Sequence, residues 1–302
     1  IYNFKNSVIQ AMKQASFIAT CVFNAFFGFT AITLNIVTIH ALRKPLTIPR
    51  AVKTLLLSQA VSDLGVGLLV QPLYVAFLVM MIKENTQTRT FEIMNDLYGN
   101  IGNFFTFASF FGVVALATDR FLAIHLHLRY QELVTHKRVV TVVISTWILS
   151  AIVMLLLGWI SSDVVTIIFL TVDGVCYLTT ALFYFKIYSA VRYHSNQMQV
   201  LEEQLAQNNG GDMENAARER KAAVDTFYVF LVFLICYLPN MCYWIIQTST
   251  GPSTVLWHFG LHSNTLMLLN SSLNPLIYSW KMRPVRHAVM EILRNILPNL
   301  HQ

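Results

Sequence analysis

Charge is scarce in this chain. Asp, Glu, Lys and Arg make up 12% of its 302 residues, while hydrophobic residues make up 55%. A water-soluble domain carries about twice that charge, so a soluble globular protein is excluded, and the mean hydropathy of +0.54 agrees. Cysteine is also sparse. Cys21, Cys176, Cys236 and Cys242 all fall within apolar stretches, which points to reduced, packed thiols and away from a disulfide framework. Metal-ligand spacing is absent, which excludes a structural zinc site. No internal repeat interrupts what reads as a single domain over 1–302. The opening residues lack the pattern of a cleavable signal peptide, so none is expected at Ile1.

What fills the place of charge is a series of apolar runs long enough to cross a bilayer. Seven are expected, near 17–42, 52–82, 97–124, 139–160, 164–191, 224–247 and 254–280. Seven crossings put the two termini on opposite sides. Of the 21 Lys and Arg residues, only Lys5, Lys13, Lys83 and Arg89 fall on the N-terminal side, and the other 17 fall on the opposite side or at helix ends facing it. Cationic residues concentrate on the cytoplasmic side, so the N-terminus is expected outside and the C-terminus inside. The net charge of +6 then reflects topology beside anionic lipid, and nucleic acid is not an expected partner.

The outer loops are short. Trp159 to Val164 leaves no room for a folded lid. The longest polar stretch, His194 to Lys221, is cytoplasmic. It reads as helix over Gln197–Gln207, a break at Asn208-Asn209-Gly210-Gly211, and helix again over Asp212–Lys221, either as a solvated linker or as a hinge. After Tyr278 the segment at about 283–295 is too short and charged to span. Pro284 suits a first helical turn, and Val285, Ala288, Val289, Ile292 and Leu293 share one apolar face, as in a helix lying on the inner membrane surface. The expected fold class is therefore all-α: a seven-transmembrane helix bundle followed by a short amphipathic inner-surface helix.

Four constellations stand out in the spans. Asp63 lies in span two, where a carboxylate at mid-helix costs about 2.5–3.5 kcal/mol on insertion scales and so must face inward to partners. Asn35, Ser109, Asn270 and Asn274 are at similar depth. One carboxylate among oxygen ligands suits a small hard cation; a neutral, hydrogen-bonded Asp is the alternative. In span three, Gly102, Thr106, Ser109, Val113, Leu116 and Arg120 form one stripe, which turns Arg120 inward beside Asp119. Glu219 lies at the inner end of span six. An Arg between two acids makes a breakable latch, or else a snorkelling cation. In span six Pro239 removes a helix hydrogen bond above Phe233 and Tyr237, giving either a pivot or a static kink. Span seven holds Asn270-Ser271-Ser272-Leu273-Asn274-Pro275-Leu276-Ile277-Tyr278, where two amides and Pro275 are both costly in hydrocarbon.

Together these residues resemble the rhodopsin-like (class A) G-protein-coupled receptors. The resemblance rests on Asn35, the Leu-Ser-x-Ala-x-x-Asp run ending at Asp63, Asp119-Arg120-Phe121, Trp147, Tyr188, Cys236-Tyr237-Leu238-Pro239 and Asn274-Pro275-Leu276-Ile277-Tyr278, in order through all seven spans. It implies a sodium pocket of Asp63, Asn35, Ser109, Asn270 and Asn274. It implies that Arg120 pairs with Asp119 and Glu219 at rest and then engages a heterotrimeric G protein. Tyr188 and Tyr278 would swing inward on activation, and Phe110, Phe233 and Tyr237 would couple the ligand cavity to span six. Departures from the family pattern are Asn95 in place of the usual outer Cys, Thr180 near the usual span-five Pro, Tyr237 for Trp, and Phe121 for Tyr. The missing disulfide and Pro are similar to the branch holding melanocortin, cannabinoid, lysophospholipid and adenosine receptors.

The same resemblance narrows the ligand. Gly102 stands where amine receptors place an Asp, so a monoamine is disfavoured. Leu268 stands where an opsin places its Lys, so no retinal is expected. Asp173 in span five, with Asn103, Thr106, Asn240, His258 and His262, is at pocket depth, along with Asn100, Gln71 and Asn264. Asp173 either answers a cationic or hydrogen-bond-donating ligand or pairs with a neighbouring Asn or His. The expectation is a non-enzymatic plasma-membrane receptor for an extracellular peptide or small molecule. It needs no cofactor beyond an allosteric sodium ion, and its partners are a G protein and membrane lipid. The alternatives are a seven-helix transporter or ion channel, which would call for inverted repeats or several buried charges, and a constitutively active receptor without an agonist.

Overall fold

A computed structural model describes the backbone of residues 2–83, 87–126, 129–157, 162–202, 210–251 and 253–296, and side chains within 14–83, 87–126, 129–130, 132–156, 164–189, 224–251 and 253–295. Among the described residues there are helices and no strands. They are α1 (Tyr2–Arg43), α2 (Arg50–Gly65), α3 (Gln71–Ile82), α4 (Arg89–Leu126), α5 (Tyr130–Leu133), α6 (His136–Leu157), α7 (Ser162–Glu202), α8 (Gly210–Thr250), α9 (Thr254–Lys281) and α10 (Arg283–Ile296). α1 packs on α2, α3 and α9, α4 sits against α2, α6, α7 and α8, and α8 pairs with α9.

Burial is inverted relative to a soluble protein. Asn24, Asn35, Asp63, Gln71, Asn270 and Asn274 are buried, while Phe26, Phe29, Leu155, Leu178 and Phe185 are well exposed. Polar groups inside and large apolar groups outside are what a hydrocarbon solvent selects. Among the described residues, six helices are long and apolar enough to cross a membrane: Gln14–Arg43, Arg50–Ile82, Arg89–Leu126, His136–Leu156, Val164–Ser189 and Val224–Thr250. The seventh crossing, α9, falls below that apolarity because of Asn270, Ser271, Ser272 and Asn274, all of which are buried in the bundle.

Span two is not the uninterrupted helix that its apolar run suggests. α2 and α3 are joined by one π-helical turn, Val66–Val70. Pro72 lies near the start of α3; it has no N–H to return to the preceding turn, and the chain widens there. Helices also run past the apolar runs: α1 starts at Tyr2 and α4 at Arg89. Of the break expected at Asn208–Gly211, Gly210 and Gly211 are helical. α8 already begins at Gly210, and residues 203–209 lie outside the described ones.

The ends of α9 are set by local chemistry. α8 closes on Gly251, whose φ of +78° is open to glycine without strain. Ser253 then caps α9, its hydroxyl accepting from the Leu256 N–H at 3.2 Å. At the other end Met282 is extended and turns the chain into α10. There Val285, Ala288 and Ile292 are buried, the last two against Ala41 of α1, while Leu293 remains partly exposed. Lys44 and Glu291 meet at 2.9 Å across that seam. All four cysteines are free thiols.

Candidate functional site

The centre of the bundle is built on Asp63, which is 0% exposed. α2 delivers it one turn before the π-helical turn. Its Oδ2 accepts from Asn274 Nδ2 at 2.8 Å, which ties α2 to α9 just before Pro275. Asn35 Nδ2 donates to the Ala31 carbonyl at 2.9 Å and to the Ser271 carbonyl at 2.8 Å, tying α1 to the same stretch of α9. Ser109 and Ser62 share a hydrogen bond of 3.0 Å from α4 to α2. Asp63 Oδ1, Asn35 Oδ1, Asn274 Oδ1 and both polar atoms of Asn270 are buried with no partner. Burying such atoms unpaired costs about 1–3 kcal/mol each. Four orphaned oxygens, one of them on a carboxylate, therefore fit a hard cation or water.

Below this cluster the aromatic side chains of α4, α7 and α8 interlock. Phe233 and Tyr237 stack at 4.2 Å, and Phe110 meets them edge-on at 4.8 and 5.1 Å. Tyr177 meets Phe110 at 5.2 Å. Tyr237 lies within electrostatic reach of Asp63, as does Tyr278. Pro239 stands two residues beyond Tyr237 inside α8, so a bend there carries these rings with it.

At the far end of α4, Arg120 is 0% exposed. Its Nε donates to Asp119 Oδ2 at 2.9 Å, and Nη2 donates to the same oxygen. Tyr130 of α5 donates to Asp119 Oδ1 at 2.8 Å. Both carboxylate oxygens are thus satisfied, and the pair is closed by a third residue that sequence alone does not single out. Tyr130 stands 11 residues after Asp119 in the 4-residue helix α5, and no residue pattern marks it. The Glu219 side chain, the other expected partner of Arg120, lies outside the described ones. Tyr278 is already inside the bundle with its hydroxyl unpartnered, whereas Tyr188 is 62% exposed.

A further contact at this end joins α8 to α9. The Lys281 ammonium lies 3.5 Å from the Tyr228 ring centroid and 3.7 Å from that of Trp280. On the opposite side of the bundle, Trp147 Nε1 donates to Ser58 Oγ at 2.9 Å, fastening α6 to α2.

The residues expected to meet a ligand divide into two groups. Gly102, Asn103 and Thr106 are half-buried on α4, and a side chain at Gly102 would find only Val70 within reach, at 3.6 Å. Asp173 Oδ1 is buried without a partner. Asn240 donates to Asn264 Oδ1, linking α8 and α9. His258 and His262 instead face α1. His258 packs edge-on against Phe17 at 6.0 Å, and His262 lies 3.3 Å from Ser16 Oγ. Asn100 is exposed, and Gln71 is buried against Gly28.

The sequence matches the family model described as 7 transmembrane receptor (rhodopsin family) over residues 34–278, from the residue before Asn35 to the tyrosine that ends the span-seven motif. The chain belongs to the rhodopsin family of seven-transmembrane receptors. It is 26% identical to adenosine receptor A3 of Ovis aries over 286 residues, 88% of this chain and 87% of that receptor. It is 24% identical to melanocortin receptor 4 of Danio rerio over 272 residues, 88% and 81% of the two chains, and 24% identical to histamine H2 receptor of Canis lupus familiaris over 261 residues, 79% and 69%. This receptor is thus a G-protein-coupled receptor similar to adenosine and melanocortin receptors, a multi-pass membrane protein that signals to G proteins and has no enzymatic activity.

Proposed function

We propose that the receptor faces outward with its N-terminus and binds an agonist between α4, α7 and α8, through a cationic or hydrogen-bond-donating group that meets Asp173. The observation that carries this reading is Asp173 Oδ1, buried with no donor from a neighbouring Asn or His among the described residues. An acceptor in that state is a vacancy for a ligand donor. Gly102 on α4, where an added side chain would touch Val70 alone at 3.6 Å, supplies no counter-ion for a monoamine. Agonist binding shifts a two-state equilibrium only through its differential affinity for the two states. α8 swings about Pro239, the Asp119–Arg120 pair loosens from Tyr130 and Glu219, Tyr188 turns inward beside Tyr278, and Arg120 meets the G protein.

A sodium ion held by Asp63, Asn35, Ser109, Asn270 and Asn274 stabilises the resting state in this reading, with the orphaned oxygens around Asp63 in its support. The basic bias toward the C-terminal side supports the orientation. The test is a G-protein dissociation screen of amines, nucleosides, peptides and lipids on cells expressing the receptor, followed by Asp173→Asn. The variant loses potency for the agonist found. Unchanged potency ends the role assigned to Asp173.

A further inference from the structure

A cavity of 520 Å³ opens on the flank where α4 meets α6, with neither Asp173 nor Asp63 in its lining. Its α6 wall runs from Arg138 to Leu149, which at 1.5 Å per residue is about 16 Å. Half the hydrocarbon thickness of a bilayer is about 15 Å, so the groove is as deep as one leaflet. Val142 and Leu149, on its α6 side, are half exposed on the outer flank of the bundle. The groove is therefore open sideways to lipid.

Apart from Ser145, the polar residues along the wall offer an occupant little. Thr118, Thr141 and Thr146 donate their hydroxyls to carbonyls of their own helices at 2.7, 3.0 and 2.7 Å. Asp119 is engaged by Arg120 and Tyr130. The wall is thus apolar in effect, and its charge sits at one end, on Arg138. That guanidinium makes one hydrogen bond, from Nη1 to the Leu133 carbonyl at 2.7 Å, and pairs with no carboxylate among the described residues. Lys137 and His136 stand beside it in the first turn of α6.

We propose that this groove seats one acyl chain of an anionic glycerophospholipid, with the headgroup phosphate on Arg138. The length matches one leaflet, the wall matches a hydrocarbon chain, and the cation is where a headgroup would be. The source is the cytoplasmic leaflet, which rests on the orientation proposed above.

The test uses purified receptor in nanodiscs of phosphatidylcholine containing a phosphatidylserine with a photoreactive acyl chain. Cross-linked peptides are mapped by mass spectrometry. Labels concentrate on α4 and on α6 between Val142 and Leu149. Phosphatidylcholine carrying the same chain labels those peptides less. Arg138→Gln lowers phosphatidylserine labelling about fivefold, as expected for one cation at a headgroup, whereas Lys137→Gln, outside the groove wall, leaves most of it. Val142→Trp fills the groove and removes labelling by both lipids; Ser145→Phe serves the same purpose if that variant does not fold. Equal labelling by the two lipids, or labelling indifferent to both Arg138→Gln and a groove-filling variant, overturns the proposal. Displacement of phosphatidylserine by a sterol analogue overturns it as well. Nanodiscs offer the lipid to both leaflets, so a reversed orientation, read separately from epitope accessibility on intact cells, leaves this outcome unaffected.

Discussion

Tyr130→Phe removes one oxygen atom and nothing else from the inner end of the receptor. That oxygen donates to Asp119 Oδ1 at 2.8 Å and lies 3.4 Å from Arg120 Nη2. All three residues are buried, so solvent does not replace the lost donor. A hydrogen bond to a charged group contributes about 1.5–3 kcal/mol, which is about a 13- to 160-fold change in an equilibrium constant. If the contact belongs to the resting state alone, the variant shifts the resting–active balance by that factor. A receptor that is about 1% active at rest becomes about 10% to 60% active. The assay is agonist-free guanine-nucleotide exchange in membranes, at surface expression matched to wild type. Unchanged or lower basal exchange in a folded variant would refute the assignment of the Tyr130–Asp119 bond to the resting state.

Other expectations follow from the same contacts. Replacing sodium chloride by choline chloride raises basal exchange, since sodium at about ten times its dissociation constant favours the resting state by about 1.4 kcal/mol; Asp63→Asn abolishes the difference, and persistence of the sodium effect in that variant would remove Asp63 from the pocket. Lys281→Ala breaks the clamp to Tyr228 and Trp280 and raises basal exchange about two- to fivefold, whereas Lys281→Arg keeps it near wild type; equal effects of the two substitutions would count against a cation–aromatic contact. Trp147→Phe forfeits the donation to Ser58 and costs about 1 kcal/mol of stability, read as a thermal midpoint a few degrees lower for the detergent-purified receptor; an unshifted midpoint denies the bond its share.

What could be read from sequence was whatever hydrocarbon makes expensive. Asp63, Asn35, Asn270 and Asn274 announce themselves because an unpaired polar group in a membrane span must turn inward, and all four are buried. Phe233 and Tyr237 were legible from helical spacing beside a proline, whereas Phe110 entered through the resemblance to the receptor family. Tyr130 was not legible, because it stands in α5, a helix of 4 residues that is too short to carry a periodic signal. Lys281 was hidden for a different reason: a cation at an inner helix end reads as ordinary topology, and nothing in the sequence shows two rings closing on it. The π-helical turn at Val66–Val70 was likewise masked by a continuous apolar run, although Pro72 was there to mark it. His258 and His262 were placed by depth alone. Depth does not fix the face, and α9 turns both toward α1.

The movement of α8 about Pro239 is measured most directly as a distance. Nitroxides at Val224 on α8 and His125 on α4, both exposed, can be placed in a receptor with Cys21 and Cys242 replaced and read by double electron–electron resonance. Addition of nucleotide-free heterotrimeric G protein lengthens the distance, and Arg120→Ala, which lacks the side chain proposed to meet the G protein, suppresses the change. A distance distribution that stays the same while the receptor drives nucleotide exchange would contradict a switch built on α8.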